Sequence, residues 1–450
     1  MSGLRFRLSG AIERTNRPPI PQAYSWAEHY KPTPTRPLLD MSQGVPGVPP
    51  PKIFLDALGT ASSSPSSCGY VPNAGELALR QAIAEEMRIP YGEDIDVTAG
   101  DIAITAGCNM AFVATIMTIA EAGDEVILPV PWYFNHEMTL TMLGVKVVPL
   151  PTDPDNGFLP SLEQCAKLVT PKTKAIVLVT PNNPVCYFYS ALKSIEVSFS
   201  QLQTGAIYPA SHIAMFAGLA RSRNLALILD ETYRDFLSTE SLPPHKLFAP
   251  PASRGPFDPS SHHALPTDWC WRETIIHLFS FSKSYCIPGH RLGLICASPD
   301  IMPSLNKALD NVQICAPRPP QIALAPLLPA LRPFVQSNNE ALKHRHTLFK
   351  SLLPPKWHIG AQGGYYAFVK HPFIGIGATK VARRLAEEMG VLCLPAGFFG
   401  PGQSENVGPD ERDVEDRWIR FSVANVSDDK VRHVCQRLGE SEMAFGWETE

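Results

Sequence analysis

The sequence lacks the short motifs from which a metal site, a disulfide framework or a nucleotide site is often predicted. Its ten cysteines are scattered and form no C-x-x-C pair, which argues against a zinc site and against a disulfide framework. Neither G-x-G-x-x-G nor G-K-[ST] occurs, so the usual dinucleotide and P-loop phosphate sites are not indicated. No run reaches the roughly 18 apolar residues that a membrane-spanning helix requires. There is also no internal repeat.

The sequence also lacks a strong excess of charge of either sign. Its 39 basic and 43 acidic residues leave a formal net charge of −4, which gives no electrostatic reason to expect a nucleic acid or an anionic membrane as partner. The N-terminal segment carries basic residues but no continuous apolar run, so we expect no secretory signal. Together with the unpaired cysteine pattern, these features favour a reducing, cytoplasmic environment.

What the sequence does have is the composition of an ordinary globular protein. Its 450 residues are 44% hydrophobic and 18% charged, and this length predicts more than one domain. Short apolar runs, which alternate with stretches of helical periodicity, predict strands at 101–105, 124–130, 175–180, 225–229 and 274–279. This alternation predicts an α/β protein with a mostly parallel sheet, which binds its ligands at the carboxyl ends of the strands.

The most informative stretch is Leu278–Gly293, LFSFSKSYCIPGHRLG, which begins in the last of these apolar runs. Lys283 lies just past the predicted strand. A lysine against apolar surface can lose its proton and form a Schiff base with an aldehyde. Neighbouring hydroxyls and an arginine, here Ser280 and Arg291, are suited to holding a phosphate. Taken alone, an S-x-x-K motif is more often a strand end with a solvated lysine.

Read as a whole, S-F-S-K-x-x-x-x-P-G-x-R-x-G resembles the cofactor-lysine segment of the class I/II aminotransferases, pyridoxal-phosphate enzymes of fold type I related to aspartate aminotransferase. The resemblance implies that Lys283 forms the covalent link to pyridoxal 5'-phosphate. It also implies that Ser280 and Arg291 bind the cofactor phosphate, with Ser282 beside them in the cofactor site.

Two further segments fit a cofactor site. A short predicted strand leads through Gly107, Cys108 and Asn109 into a helix, and a helix start offers free backbone N–H groups to a phosphate. We therefore assign these three residues to a phosphate cradle. After the strand at 124–130, an aromatic ring can stack on a pyridine ring, and the resemblance favours Tyr133 over Trp132. The alternative is that both rings belong to the core.

Asp230 and Tyr233 follow the apolar run at 225–229 in the D-x-x-Y pattern of the family. A carboxylate at a buried strand end can pair with a protonated pyridine nitrogen and keep the ring an electron sink. The resemblance implies this role for Asp230. It further implies that Tyr233 and Asn183, in Pro181-Asn182-Asn183-Pro184, donate hydrogen bonds to the phenolic oxygen of the cofactor.

The segment 185–203 interrupts this last motif. In the family P-N-N-P is followed by T-G, whereas here Thr204-Gly205 comes only after nineteen residues. Valine codons begin with GT and one glutamine codon is CAG, so Val185 and Gln203 match the two ends of a spliceosomal intron. We therefore interpret 185–203 as the translation of a short intron that was retained in the coding sequence. The alternative is a genuine surface insertion, which would place apolar-rich chain in a tight active-site turn.

The resemblance also implies substrate-binding residues. Arg420, in a predicted strand, is the candidate for the substrate α-carboxylate, which an arginine grips with two parallel hydrogen bonds. Gly44 would bring backbone against the same carboxylate, although a plain turn is an equal alternative. Arg318 lies where some relatives bind a distal carboxylate, with a structural salt bridge as the alternative. Tyr70 would cross to the cofactor phosphate of a partner subunit in a homodimer.

The architecture that the resemblance implies is a large domain with a seven-stranded, mostly parallel sheet and helices on both faces, plus a smaller α+β domain. We predict an N-terminal arm at 1–45 that joins the small domain and is irregular over 1–40, and a cofactor-binding domain at 46–320. A connector helix and the small domain, with a strand at 363–368, would follow at 321–450. The Pro- and Ser-rich segment 241–268 is predicted to be a surface loop. Its His262 and His263 are interpreted as solvated, and we expect no metal site.

The activity that the resemblance implies is transfer of an amino group from an amino acid to a 2-oxo acid, in a biosynthetic process of amino-acid metabolism, with Lys283 as general base. The motifs do not separate a transaminase from a lyase or a cyclopropane-forming synthase of the same fold. A non-catalytic form, because of 185–203, is the alternative from another class. The identity of the amino donor also stays open: Arg318 hints at an acidic side chain and the aromatic residues at an apolar one.

Overall fold

The N-terminal segment is more regular than the sequence suggests. The computed structural model describes residues 5–184, 208–237, 242–250, 265–401 and 416–450. Its first elements are helices α1 (Gly10–Arg14) and α2 (Pro19–Ala27), strand β1 (Leu39–Asp40), and helices α3 (Lys52–Ser63) and α4 (Leu77–Tyr91). The expectation of an irregular arm over 1–40 is wrong: Pro19 favours a helix start, and Ala23, Trp26 and Ala27 bury one face of α2.

A seven-stranded sheet forms the centre of the larger part of the molecule. Its strands are β2 (Ile102–Thr105), β3 (Glu125–Val130), β4 (Lys146–Pro151), β5 (Thr173–Val179), β6 (Ala226–Asp230), β7 (Ile275–Ser280) and β8 (Gly293–Cys296). They lie in the order β2-β8-β7-β6-β5-β3-β4. Strand β8 is antiparallel to β2 and β7, and the other pairs are parallel. The predicted mostly parallel seven-stranded sheet is confirmed.

Both faces of this sheet are buried by helices. Alternate residues of one strand enter different hydrophobic clusters: Leu227 and Leu229 lie in one, and Ile228 lies in the other. This is why the strands read as unbroken apolar runs. The helices of this part are α5 (Cys108–Ile119), α6 (Phe134–Met142), α7 (Leu162–Leu168), α8 (Ala210–Ser222), α9 (Phe281–Ser284), α10 (Met302–Gln313) and α11 (Arg318–Leu324).

The C-terminal part is built on an antiparallel four-stranded sheet of order β12-β13-β10-β9. Its elements are α12 (Leu328–Leu352), β9 (His358–Gly363), β10 (Tyr366–Lys370), α13 (Ala378–Arg384), β11 (Val391–Leu392), β12 (Leu394–Pro395), β13 (Trp418–Ser422) and α14 (Asp428–Ala444). Strand β1 pairs with β11, which joins the N-terminal segment to this part. The domain boundaries proposed above stay predictions.

One strand prediction in this part is wrong. The sequence suggests a single strand over 363–368, whereas β9 ends at Gly363 and β10 begins at Tyr366. Gly364 between them has φ +47°, a left-handed conformation that glycine adopts readily, so the chain turns back here as a hairpin. The described ends of the predicted surface loop, 242–250 and 265–268, contain no helix or strand.

The fold brings two sets of side chains to one edge of the large sheet. Strands β5, β6 and β7 are parallel neighbours, so the residues that follow Val179, Asp230 and Ser280 meet there. Strand β13 of the smaller sheet supplies Arg420 from the opposite side of the same cavity. Among the described residues, no helix is both long enough and apolar enough to cross a membrane.

Candidate active site

A cavity of about 370 Å³ lies at the carboxyl edge of the large sheet. Its volume is in the range usual for a site that takes a cofactor and a small substrate. Most of the residues predicted from the sequence line it together: Gly44, Cys108, Asn109, Tyr133, Asn183, Asp230, Tyr233, Ser280, Ser282, Lys283, Arg291 and Arg420. Residues from seven different stretches of the chain thus converge on one space.

Lys283 lies in α9, directly after β7, and its Nζ donates a hydrogen bond to the Gly44 carbonyl oxygen. Burial, together with the positive charges of Arg420 and Arg291, lowers the pKa of Lys283 to about 8. A lysine with such a pKa is partly neutral near neutral pH. The neutral amine is the form that attacks an aldehyde or takes a proton.

Asp230 is held from two sides. Its Oδ1 accepts hydrogen bonds from the Thr232 hydroxyl at 2.7 Å and the Thr232 N–H at 3.1 Å, and the Cys108 thiol lies 3.8 Å away. His136 Nε2 lies 3.3 Å from Oδ2. Burial alone would raise the pKa of Asp230, but His136 and Thr232 stabilise the carboxylate and the net pKa is lowered. Asp230 therefore presents a negative charge to the cavity.

The loop before α5 has the shape of an anion cradle. Gly107 is the N-cap of α5 with φ +88°, and a Cβ at this position would overlap with the guanidinium of Arg291. The first N–H groups of a helix have no partner within the helix. Arg291 is exposed, and its guanidinium donates to the Pro288 carbonyl at 3.0 Å. Backbone donors, a helix start and a cation therefore meet here, and they suit a phosphate.

Two aromatic residues after β3 have different surroundings. Tyr133 lines the cavity and its hydroxyl accepts a hydrogen bond from the Asn135 amide at 2.8 Å. Trp132 is 7% exposed, does not line this cavity, and donates its backbone N–H to the Phe399 carbonyl at 2.7 Å. The geometry thus favours Tyr133 over Trp132 as the ring that a planar ligand would meet.

Arg420 is a buried cation with an open donor. It is 2% exposed; one terminal nitrogen donates to Asn183 Oδ1 at 2.8 Å and the other to the Ser42 carbonyl. Its guanidinium lies 4.4 Å from the Tyr366 ring centroid, whereas its Nε has no hydrogen-bond partner. Among the described residues no carboxylate lies within ion-pair distance of it. Such a charge is stabilised when an anion binds.

Three predicted residues do not line the cavity: Gly107, which lies behind the Arg291 guanidinium, Tyr70 and Arg318. Tyr70 is 79% exposed, so its predicted contact with a partner subunit stays a prediction. Arg318 does not line the cavity of its own chain. Its Nε donates a hydrogen bond to Glu76 Oε1 at 2.7 Å. For Arg318, the structure thus shows the structural salt bridge that the sequence left as the alternative. The segment 185–203, His262 and His263 lie outside the described residues.

Sequence reasoning missed several residues at this site. Tyr366 lines the cavity, its hydroxyl lies 2.8 Å from that of Tyr233, and a Cβ at Gly44 would overlap with it. The sequence predicts one strand over 363–368, so the turn that begins β10 at Tyr366 and sets the direction of its side chain is not predicted. His136 was overlooked although it lies one helical turn after Tyr133, and Ile20 was overlooked because the arm was expected to be irregular.

The residues present fit pyridoxal phosphate. The cradle at Gly107 suits its phosphate, the Asp230 carboxylate its protonated ring nitrogen, and the neutral amine of Lys283 its aldehyde. The unpartnered Nε of Arg420 remains for a second, anionic ligand.

Comparisons with known proteins agree with this geometry. The profile of the family described as aminotransferase class I and II matches residues 36–190 and 203–438. The chain is 28% identical over 346 residues to an arginine–pyruvate transaminase of Pseudomonas aeruginosa, covering 75% of this chain and 76% of that protein. It is 27% identical over 410 residues to an aromatic aminotransferase of Arabidopsis thaliana, covering 89% and 88%.

Solved structures share the fold. Aspartate aminotransferase from Thermus thermophilus with maleate superposes with a TM-score of 0.76 at 22% identity, covering 97% of this chain and 99% of that one. N-succinyldiaminopimelate aminotransferase from Mycobacterium tuberculosis superposes with a TM-score of 0.77 at 22% identity, covering 96% and 100%.

The depressed pKa of Lys283 can be tested directly. In the cofactor-free protein, competitive acetylation of Lys283, followed by mass spectrometry, should titrate with a midpoint near pH 8, with the exposed Lys31 as internal standard. Replacing Arg420 with leucine removes a neighbouring positive charge, so the midpoint should rise. A midpoint at the ordinary lysine value of about 10.4 would contradict this electrostatic account.

Proposed function

The chain belongs to the class I and II aminotransferase family, and from this premise we propose which of its residues bind the cofactor, the substrate and the transferred proton. Members of this family use pyridoxal phosphate to move amino groups between amino acids and 2-oxo acids. One observation carries the proposal: Arg420, a buried cation with no carboxylate partner among the described residues, faces the same cavity as Lys283.

We assign the cofactor to the sheet side of the cavity. When bound, it supplies an aldehyde for the amino group and a protonated ring that accepts electrons from the α-carbon. Asp230 would hold the ring nitrogen, Tyr133 would stack on the ring, and Asn183 and Tyr233 would donate to the phenolic oxygen. The phosphate would lie among Gly107, Cys108, Asn109, Ser280, Ser282 and Arg291.

Arg420 and Lys283 would act on the substrate itself. The guanidinium of Arg420 binds the α-carboxylate, with the backbone at Gly44 against it, and this orients the α-carbon toward Lys283. Lys283 Nζ, whose lowered pKa makes the neutral amine available, removes the α-proton as general base. In the second half of the reaction, with a 2-oxo acid in place of the product, the same groups work in the reverse direction.

We also propose a homodimer in which Tyr70 reaches the cofactor phosphate of the partner subunit. The 79% exposure of this tyrosine supports the idea, since a large aromatic side chain at a protein surface is typical of a contact site. We further propose a cytoplasmic location and a biosynthetic role.

The segment 185–203 is proposed to be absent from the working enzyme. In support, the family match stops at residue 190 and resumes at 203, so the profile finds no counterpart for 191–202. Sequencing of the transcript across Pro184 tests this. A spliced transcript that joins Pro184 to Thr204 is the expected result, and a transcript that encodes Val185–Gln203 in full would overturn it.

The substrate role of Arg420 can be tested by kinetics. Arg420→Leu should raise the KM for the amino acid by roughly 100-fold or more, about 3 kcal/mol, because a buried charge pair is lost. Arg432→Leu, which changes an exposed arginine of α14, is the matched control and should leave KM unchanged. In the same experiment, the 2-oxo acid and the ammonia that the unchanged enzyme releases are measured.

In that analysis, the unchanged enzyme should form one 2-oxo acid per amino acid and stop after one turnover per site unless an acceptor 2-oxo acid is added. Continuous release of ammonia without an acceptor would instead indicate a lyase. Equal KM values for the two arginine variants would refute the assignment of Arg420.

A further inference from the structure

The part of the cavity that remains after these assignments is uncharged and largely apolar. Its lining includes the side chains of Ile20, Val45, Phe134 and Tyr366 and the uncharged amides of Gln43 and Asn135. We infer that the preferred amino donors have uncharged apolar or aromatic side chains, and that dicarboxylic amino acids are poor donors. This inference rests on the proposed function, because it takes Arg420 as the α-carboxylate site and Lys283 as the group facing the α-carbon.

A chain of aromatic rings runs from the carboxylate site to this region; its Tyr133 and Phe134 line the cavity, and Phe399 is buried behind them. The Arg420 guanidinium lies 4.8 Å from the Phe399 ring centroid. The Phe399 ring lies 5.8 Å from that of Phe134, which in turn lies 5.1 Å from the Tyr133 ring. A substrate whose carboxylate is held at Arg420 and whose α-carbon faces Lys283 would therefore extend its side chain along an apolar wall.

The wall is anchored in the hydrophobic core. Phe134 is the first residue of α6 and Ile20 the second of α2, and both pack against the core cluster of the C-terminal part. The segment between α2 and α3 adds Val45. A carboxylate placed among these side chains would lose its hydration without gaining a charged partner, which is strongly unfavourable.

The cations that line the cavity are already assigned. Among its described lining residues they are Lys283, Arg291 and Arg420. Arg318 is bound to Glu76 and lies within 3.4 Å of the Gly69 carbonyl, beside Tyr70. If this segment reaches a partner subunit with Tyr70, Arg318 arrives already paired with Glu76. The apolar reading of the donor is thereby favoured over the acidic one.

Binding of amine-free carboxylates to the cofactor-loaded enzyme tests the inference without turnover. By calorimetry, 3-phenylpropanoate and 4-methylpentanoate should bind at least about tenfold more tightly than succinate. In kinetic assays, phenylalanine or leucine should exceed aspartate and glutamate in kcat/KM by a similar factor. Tighter binding of succinate, or preference for the acidic donors, would overturn the inference and leave the proposed function intact.

Two variants test whether the side chains of Ile20 and Phe134 determine the preference for apolar carboxylates. Ile20→Arg should strengthen succinate binding and weaken 3-phenylpropanoate binding, whereas the matched Ile12→Arg, at a residue 54% exposed on α1, should change neither. Phe134→Ala, which adds no charge, should weaken 3-phenylpropanoate binding about tenfold and leave succinate unaffected. Unaltered affinities in both cavity variants would overturn the inference. Absence of binding by every carboxylate would overturn it together with the proposed function.

Discussion

The buried positive charge of Arg420 is the constraint on which the cavity depends. This guanidinium, which comes from the small sheet, is held by Asn183 after β5 and by the Ser42 carbonyl of the N-terminal segment. It therefore ties together three parts of the chain that are far apart in sequence. Removing a charge from water is costly unless that charge is paired, and among the described residues no carboxylate lies within ion-pair distance of Arg420. The fold thus maintains a site whose electrostatics are completed by an anionic ligand.

The same charge shapes the chemistry of its neighbours. Arg420 and Arg291 add to burial in lowering the pKa of Lys283, so the cations that suit the substrate carboxylate and the cofactor phosphate also help to keep the lysine reactive. Asp230 is the opposite case, because its carboxylate is stabilised by His136 and Thr232. A reactive amine and a permanent carboxylate in one cavity are what pyridoxal-phosphate chemistry requires of a protein.

The site residues that could be predicted from the sequence are those that lie at the ends of buried strands. Asn183, Asp230 and Lys283 come directly after buried apolar runs, and parallel strands bring such residues to one edge. Arg318 could not be assigned, because its partner Glu76 lies 242 residues away in sequence and nothing local indicates the contact. Ile20 and Tyr366 escape prediction for local reasons: the helix that carries Ile20 lies in a stretch without a clear periodic pattern, and the turn at Gly364 and Tyr365 lies inside a run that resembles one strand.

The central claim, that this cavity binds pyridoxal phosphate through Lys283, is tested most directly by borohydride treatment of the cofactor-loaded protein. The reagent makes a lysine–cofactor linkage permanent, and peptide mapping by mass spectrometry then locates it. The account predicts one modified peptide, carrying the reduced cofactor on Lys283, and loss of the modification in Lys283→Ala. Stoichiometric modification of another lysine, or of the Lys283→Ala variant, would contradict it.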